Sequence, residues 1–157
     1  MIELNLVGVR IELPSNQPIL LLKEREGDRY LPIWIGQTEA QAIAYALQGT
    51  APPRPLTHDL LKNVLDELGA RVDRIVITDL REGTFYASIQ LAMNGSRHDV
   101  SSRPSDAIAL AVRISTRIFA SEDVLQEASI LIREDDEERE VASFSEWLDR
   151  VNPEDFA

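Results

Sequence analysis

From Ile2 to Leu13 the chain reads IELNLVGVRIEL. Apolar and polar positions alternate with a period of two, which predicts a long strand with one buried face. The following PSNQP segment has turn composition. Ile19 to Leu22 form an apolar run, Glu26-Gly27-Asp28 a second turn, and Tyr30 to Ile35 a third apolar segment. The pattern predicts a three-stranded antiparallel meander. Beyond Gly36 the period changes: Ala40, Ile43, Ala44 and Leu47 recur at helical spacing over Glu39 to Leu47, and Gly49 stands where a left-handed C-terminal cap belongs.

Three prolines between Thr50 and Pro55 cannot continue that helix. Thr57 is placed to cap a second one, which runs to Leu68, stops at Gly69 and has Leu60, Leu61, Val64, Leu65 and Leu68 as its predicted buried stripe. Val72 to Leu80, a Glu82-Gly83 turn and Phe85 to Met93 predict a hairpin. Asn94-Gly95 then turns the chain into a further strand around Arg97 to Val100. Pro104 suits a first helical turn and opens RPSDAIALAVRI, whose Ala107 to Val112 are all apolar, as a helix buried nearly all round requires. A short segment at Ile118-Phe119 and a capped turn from Ser121 to Gln126 follow.

The elements predict an α+β fold. Two antiparallel β-meanders form a mixed or antiparallel sheet packed with Ala-rich helices, and a short C-terminal helix is added. Residues 1–132 form one domain. Residues 133–157 are read as an acidic linker followed by a small amphipathic helix carrying Val141, Phe144, Trp147, Leu148 and Val151.

Composition narrows the function. The chain has 157 residues and no cysteine, which excludes disulfides, thiol catalysis and thiolate metal sites. Its apolar runs fall far short of the roughly 20 residues of a membrane span, so no membrane association is expected. Met1 to Val9 lack the basic stretch and apolar block of a secretory signal, and a cytoplasmic location is expected. Sixteen Lys and Arg stand against 27 Asp and Glu, a net charge of −11 that disfavours general coating of nucleic acid. Arg133 to Ala157 account for −7 of this, so the body is only mildly acidic.

Two segments share a layout. RPLTHDLL from Arg54 and RPSDAIAL from Arg103 each place Arg-Pro before polar residues that enter an apolar helix. Unpaired backbone N–H groups and the positive dipole end stabilise Asp59 and Asp106 there by typically about 0.3–1 kcal/mol each, even without function. Functionally, Arg54 and Arg103 suit a clamp for a phosphate or carboxylate. Ion pairs with Asp59, Asp106 or Glu39 are the structural alternative. His58 at a helix start suits a general base or a metal ligand, with an ordinary surface histidine as its alternative; His98 on a polar hairpin edge has less claim. Glu39, Asp59 and Asp106 are the acids at element starts that could converge on a divalent cation. Trp34 and Tyr30 lie in an apolar strand and are read as core or interface rather than base-stacking positions.

LPIWIGQTEAQAIAYALQG from Leu31, with the two Arg-Pro segments, resembles the bifunctional nuclease family over about Met1 to Ala128. The resemblance implies an α+β domain, homo-oligomers of two or more copies, and in some members cleavage of both RNA and DNA. The family's motif residues fall on Glu39, Arg54, Thr57, His58, Asp59, Arg103, Ser105 and Asp106. On that reading Asp59, Asp106 and Glu39 hold Mg²⁺ or Mn²⁺, and His58 manages protons. Arg54, Thr57, Arg103 and Ser105 bind a single-stranded nucleic acid or nucleotide. Many relatives carry an acid just upstream of the second Arg-Pro, where this chain has Ser101 and Ser102. The alternative function is a non-catalytic regulatory or interaction domain that binds a small anionic ligand or a protein partner as an oligomer.

Overall fold

A computed structural model describes residues 1–12 and 14–132. The first meander consists of β1 (Ile2–Glu12), β2 (Gln17–Glu24) and β3 (Tyr30–Trp34). Two helices follow, α1 (Gln37–Gln48) and α2 (Thr57–Leu68). The second meander is β4 (Arg71–Arg81), β5 (Thr84–Met93) and β6 (Ser96–Ser102). Then come α3 (Pro104–Ile114), β7 (Ile118–Ala120) and α4 (Glu122–Ala128). The turns are where the composition placed them: Glu82-Gly83 and Asn94-Gly95 both take positive φ at their two central residues, which a tight hairpin needs.

The strands form one seven-stranded sheet in the order β3-β2-β1-β7-β4-β5-β6. Strand β7 joins the meanders. It pairs antiparallel with β1 (Ile2 opposite Ala120) and parallel with β4 (Ile75 opposite Ile118), so the sheet is mixed. The sheet packs with helices, and α3 is central: Ala107, Ile108, Ala109, Leu110 and Ala111 are buried against Ile75, Ile77, Ala87 and Ile89 of the sheet. Burying Ile108 and Leu110 contributes about 1.5–3 kcal/mol each. Helix α1 packs on α3, its Ala40, Ile43 and Ala44 facing inward. The close approach that these alanines allow is thus made within one chain. No described helix is long and apolar enough to cross a membrane.

Four expectations need correction. The stripe of α2 is not buried: Leu60, Leu61, Val64 and Leu68 are exposed and only Leu65 packs against the core. Periodicity marks a helix's apolar face but not whether anything covers it. Leu47 is likewise exposed, and Tyr45 is buried in the last turn of α1 instead. Thr57 is the first helical residue rather than the cap; Leu56 holds that position and its N–H donates to Asp59 Oδ2 at 3.0 Å. Trp34 does not belong to the core, because strand alternation turns it away from Leu31 and Ile33 at the end of an edge strand, where it is 54% exposed. The linker and amphipathic helix expected over residues 133–157 lie outside the described residues.

Candidate functional site

Three helix starts converge. In α1, Glu39 folds back over the preceding turn, and Gly36 makes room for it: a Cβ there would lie 2.2 Å from Glu39 Oε2. In α3, Arg103 is the cap residue and Asp106 lies in the first turn. In α2, His58 and Asp59 occupy the first turn. The side chains form a continuous chain of hydrogen bonds. Arg103 donates from Nη1 to Glu39 Oε1 (3.0 Å) and from Nε to Asp106 Oδ2 (2.8 Å), and Asp106 Oδ1 meets His58 Nε2 at 2.9 Å. The Arg103 and His58 motifs, distant in sequence, therefore share one site.

These contacts set the charge of Asp106 and Arg103. Burial pushes the Asp106 carboxyl upward, but hydrogen bonds from Arg103 and His58 outweigh it and hold Asp106 below its ordinary value. Asp106 and Glu39 in turn raise Arg103 above the ordinary arginine range. An ionised Asp106 accepts, so a neutral His58 carries its proton on Nε2 and keeps a lone pair on Nδ1. This is the tautomer of an oriented general base.

Asp59 is built differently. Arg113, on the far end of α3, donates from Nε to Asp59 Oδ1 (2.7 Å), from Nη1 to Ala109 O (2.7 Å) and from Nη2 to Ala42 O (3.1 Å). Its side chain is 7% exposed. One guanidinium thus ties α1, α2 and α3 together. Burial raises Asp59, yet Arg113 and the Leu56 N–H overcome that and hold the carboxyl low. Sequence reading missed Arg113. The signal was a lone cation inside ALAVRI, since a charge in a buried helix must find a partner.

A cavity of about 630 Å³ opens over this cluster, lined by Glu39, Arg54, Thr57, His58, Arg103 and Asp106, with Leu56 and Leu60 as an apolar wall. Arg54 makes no hydrogen bond or ion pair with any described residue. Its ion-pair alternative does not apply here, whereas Arg103 does form the pairs expected of it. Ser105 is not among the lining residues; it borders a neighbouring cavity.

Among the described residues, no three of His, Asp and Glu are disposed to hold a metal ion. Arg103 stands between Glu39 and Asp106, and Asp59 is engaged by Arg113 and by the Leu56 N–H. In this arrangement the three carboxylates do not fit a resident Mg²⁺ or Mn²⁺.

Relatives of the chain place it. An uncharacterized protein of Mycobacterium tuberculosis (strain ATCC 25618 / H37Rv) is 49% identical over 162 residues, covering 98% of this chain and 97% of its own. Bifunctional nuclease 1 of Oryza sativa subsp. indica is 30% identical over 103 residues, 64% of this chain and 31% of the plant protein. Bifunctional nuclease 2 of Arabidopsis thaliana is 29% identical over 112 residues, 68% of this chain and 34% of its own. Residues 20–133 match the bifunctional nuclease domain, and the chain belongs to that family.

Proposed function

We propose that this protein hydrolyses phosphodiester bonds of nucleic acid, RNA and DNA, in the 630 Å³ cavity. One observation carries the reading: Arg54, which pairs with no described residue, shares a cavity with a histidine whose Nε2 lies 2.9 Å from Asp106 Oδ1. Arg54 meets the phosphate charge, Arg103 adds a second guanidinium at the rim, and Thr57 supplies a hydroxyl. As the water oxygen bonds to phosphorus, His58 Nδ1 takes its proton and Asp106 stabilises the imidazolium; that proton is then given to the departing sugar oxygen as its bond to phosphorus breaks. Glu39 holds Arg103 in place. The Mg²⁺ or Mn²⁺ that family membership suggests would require Arg103 to withdraw from Glu39 and Asp106.

The test is cleavage of single-stranded RNA and DNA oligonucleotides by the purified chain, with Mg²⁺, Mn²⁺ or a chelator. His58→Ala should lower the rate at least about 100-fold. Undiminished cutting by that variant would place the activity elsewhere. Arg54→Ala should raise KM more than it lowers kcat.

A second reading has its own support. All three acids are held by arginines, as in an anchoring network for a binding or regulatory domain. It predicts nucleotide binding that depends on Arg54 with no turnover under any metal condition. Self-association and a cytoplasmic location are part of both readings. The uncovered leucines of α2 and the cysteine-free composition support them respectively. Light scattering and cell fractionation test them.

A further inference from the structure

Beside the main cavity lies a second one of about 270 Å³, bordered by Trp34, Gly36, Glu39, Phe85, Arg103 and Ser105. Glu39 and Arg103 line both cavities, so the wall between them is the same ion pair that organises the candidate site. Two further features are unexplained by packing. Trp34 leaves 54% of its surface to solvent, although an indole is among the side chains with most to gain from burial. Ser105 is 6% exposed and borders the cavity, yet its hydroxyl makes no hydrogen bond with any described residue. That hydroxyl is open to the cavity rather than sealed in the core, so a ligand there can reach it.

We propose that this second cavity is a nucleobase subsite: the base next to the bound phosphate stacks on Trp34, and the Ser105 hydroxyl hydrogen-bonds its edge. The inference rests on the phosphodiester reading and names its substrate class. Paired bases keep their faces against one another within a duplex, so a base presented to Trp34 belongs to a single strand. The phosphate of that strand lies over the shared wall at Arg103, with one nucleoside on either side. The opposite nucleoside meets the apolar wall of Leu56 and Leu60 in the larger cavity. The ligand is therefore a single-stranded dinucleotide unit or longer. A mononucleotide fills only one half of the site.

The experiment titrates the full chain with a phosphorothioate-linked thymidine dinucleotide, with thymidine monophosphate and with inorganic phosphate. Trp34 fluorescence is followed in a Trp147→Phe background. The dinucleotide should quench Trp34. Trp34→Ala should weaken dinucleotide binding roughly tenfold while leaving monophosphate binding within twofold, and Trp34→Phe should restore most of the loss. Ser105→Ala should weaken the dinucleotide by a smaller factor, roughly threefold. Trp34 is exposed, so its variants should keep the melting temperature of the parent. If both variants bind the dinucleotide like the parent while Arg54→Ala loses both ligands, the subsite is wrong and the phosphodiester reading stands. If the parent binds neither nucleotide, both fall. If Trp34→Ala changes only the molar mass in light scattering, the indole is covered by a second copy of the chain and the subsite is overturned.

Discussion

Helices α2 and α3 begin alike and end differently. Each is entered through an Arg-Pro, Pro55 ahead of α2 and Pro104 as the first residue of α3, and places an aspartate in the first turn, yet α3 is buried along most of its length and α2 has no buried residue. The aspartates diverge accordingly. Asp106, at the start of the buried helix, turns to the cavity and orients His58; Asp59, at the start of the exposed helix, is the anchor that fastens α2 to Arg113. A helix without a buried stripe depends on a few polar attachments, so the same capping vocabulary serves chemistry in one case and assembly in the other.

The largest expected effect follows from that anchor. Asp59→Ala leaves the Arg113 charge without its carboxylate among three helices, and should destabilise the fold by about 3 kcal/mol, near the low end for a broken buried pair because Asp59 is itself 29% exposed. Chemical denaturation reads it. Asp106→Asn should leave the midpoint closer to that of the parent and remove cleavage. Equal destabilisation by the two variants would erase the distinction drawn between them.

Acid gives a second, smaller contrast. Both carboxyls are held below the ordinary aspartate value in the folded chain, so the unfolded chain binds more protons between the two values and stability rises with pH there. Their contribution is complete above the unfolded value of about 3.9 and is lost as pH falls through the folded values. Thermal melts from pH 7 to pH 3 should show the loss beginning near pH 4, with a shallower slope in Asp106→Asn. An unchanged slope would mean that Asp106 titrates as it does in the unfolded chain. Least costly of all should be Leu68→Lys on the open face of α2, within about 0.5 kcal/mol for the single chain. If it also lowers the molar mass in solution, the leucine ridge is where copies meet.

Much of this was legible in local pattern. The hairpins announced themselves through Glu82-Gly83 and Asn94-Gly95, and α3 through its unbroken apolar run behind Pro104. The bringing together of Arg103, Glu39 and His58 was only a possibility in the sequence, because convergence of helix starts is a property of packing. Arg113 was passed over in the sequence, and Trp34 was read as core or interface, of which the core is overturned. A cation near a helix end looks like dipole compensation until its partners are seen, and a tryptophan in an apolar strand looks buried until the strand proves to be an edge. The burial of α2 was overestimated because amphipathicity is a statement about the helix alone.

Strand β7 is three residues long, yet it is the hydrogen-bonded seam between the two meanders. Each meander closes on itself through neighbours in sequence, whereas the seam is contributed from residue 118 onward, after both are complete. Assembly of the sheet therefore waits for the arrival of Ile118, Phe119 and Ala120. A chain ending before them, during synthesis or after proteolysis, would hold two finished halves with open edges facing one another and nothing to zip them together.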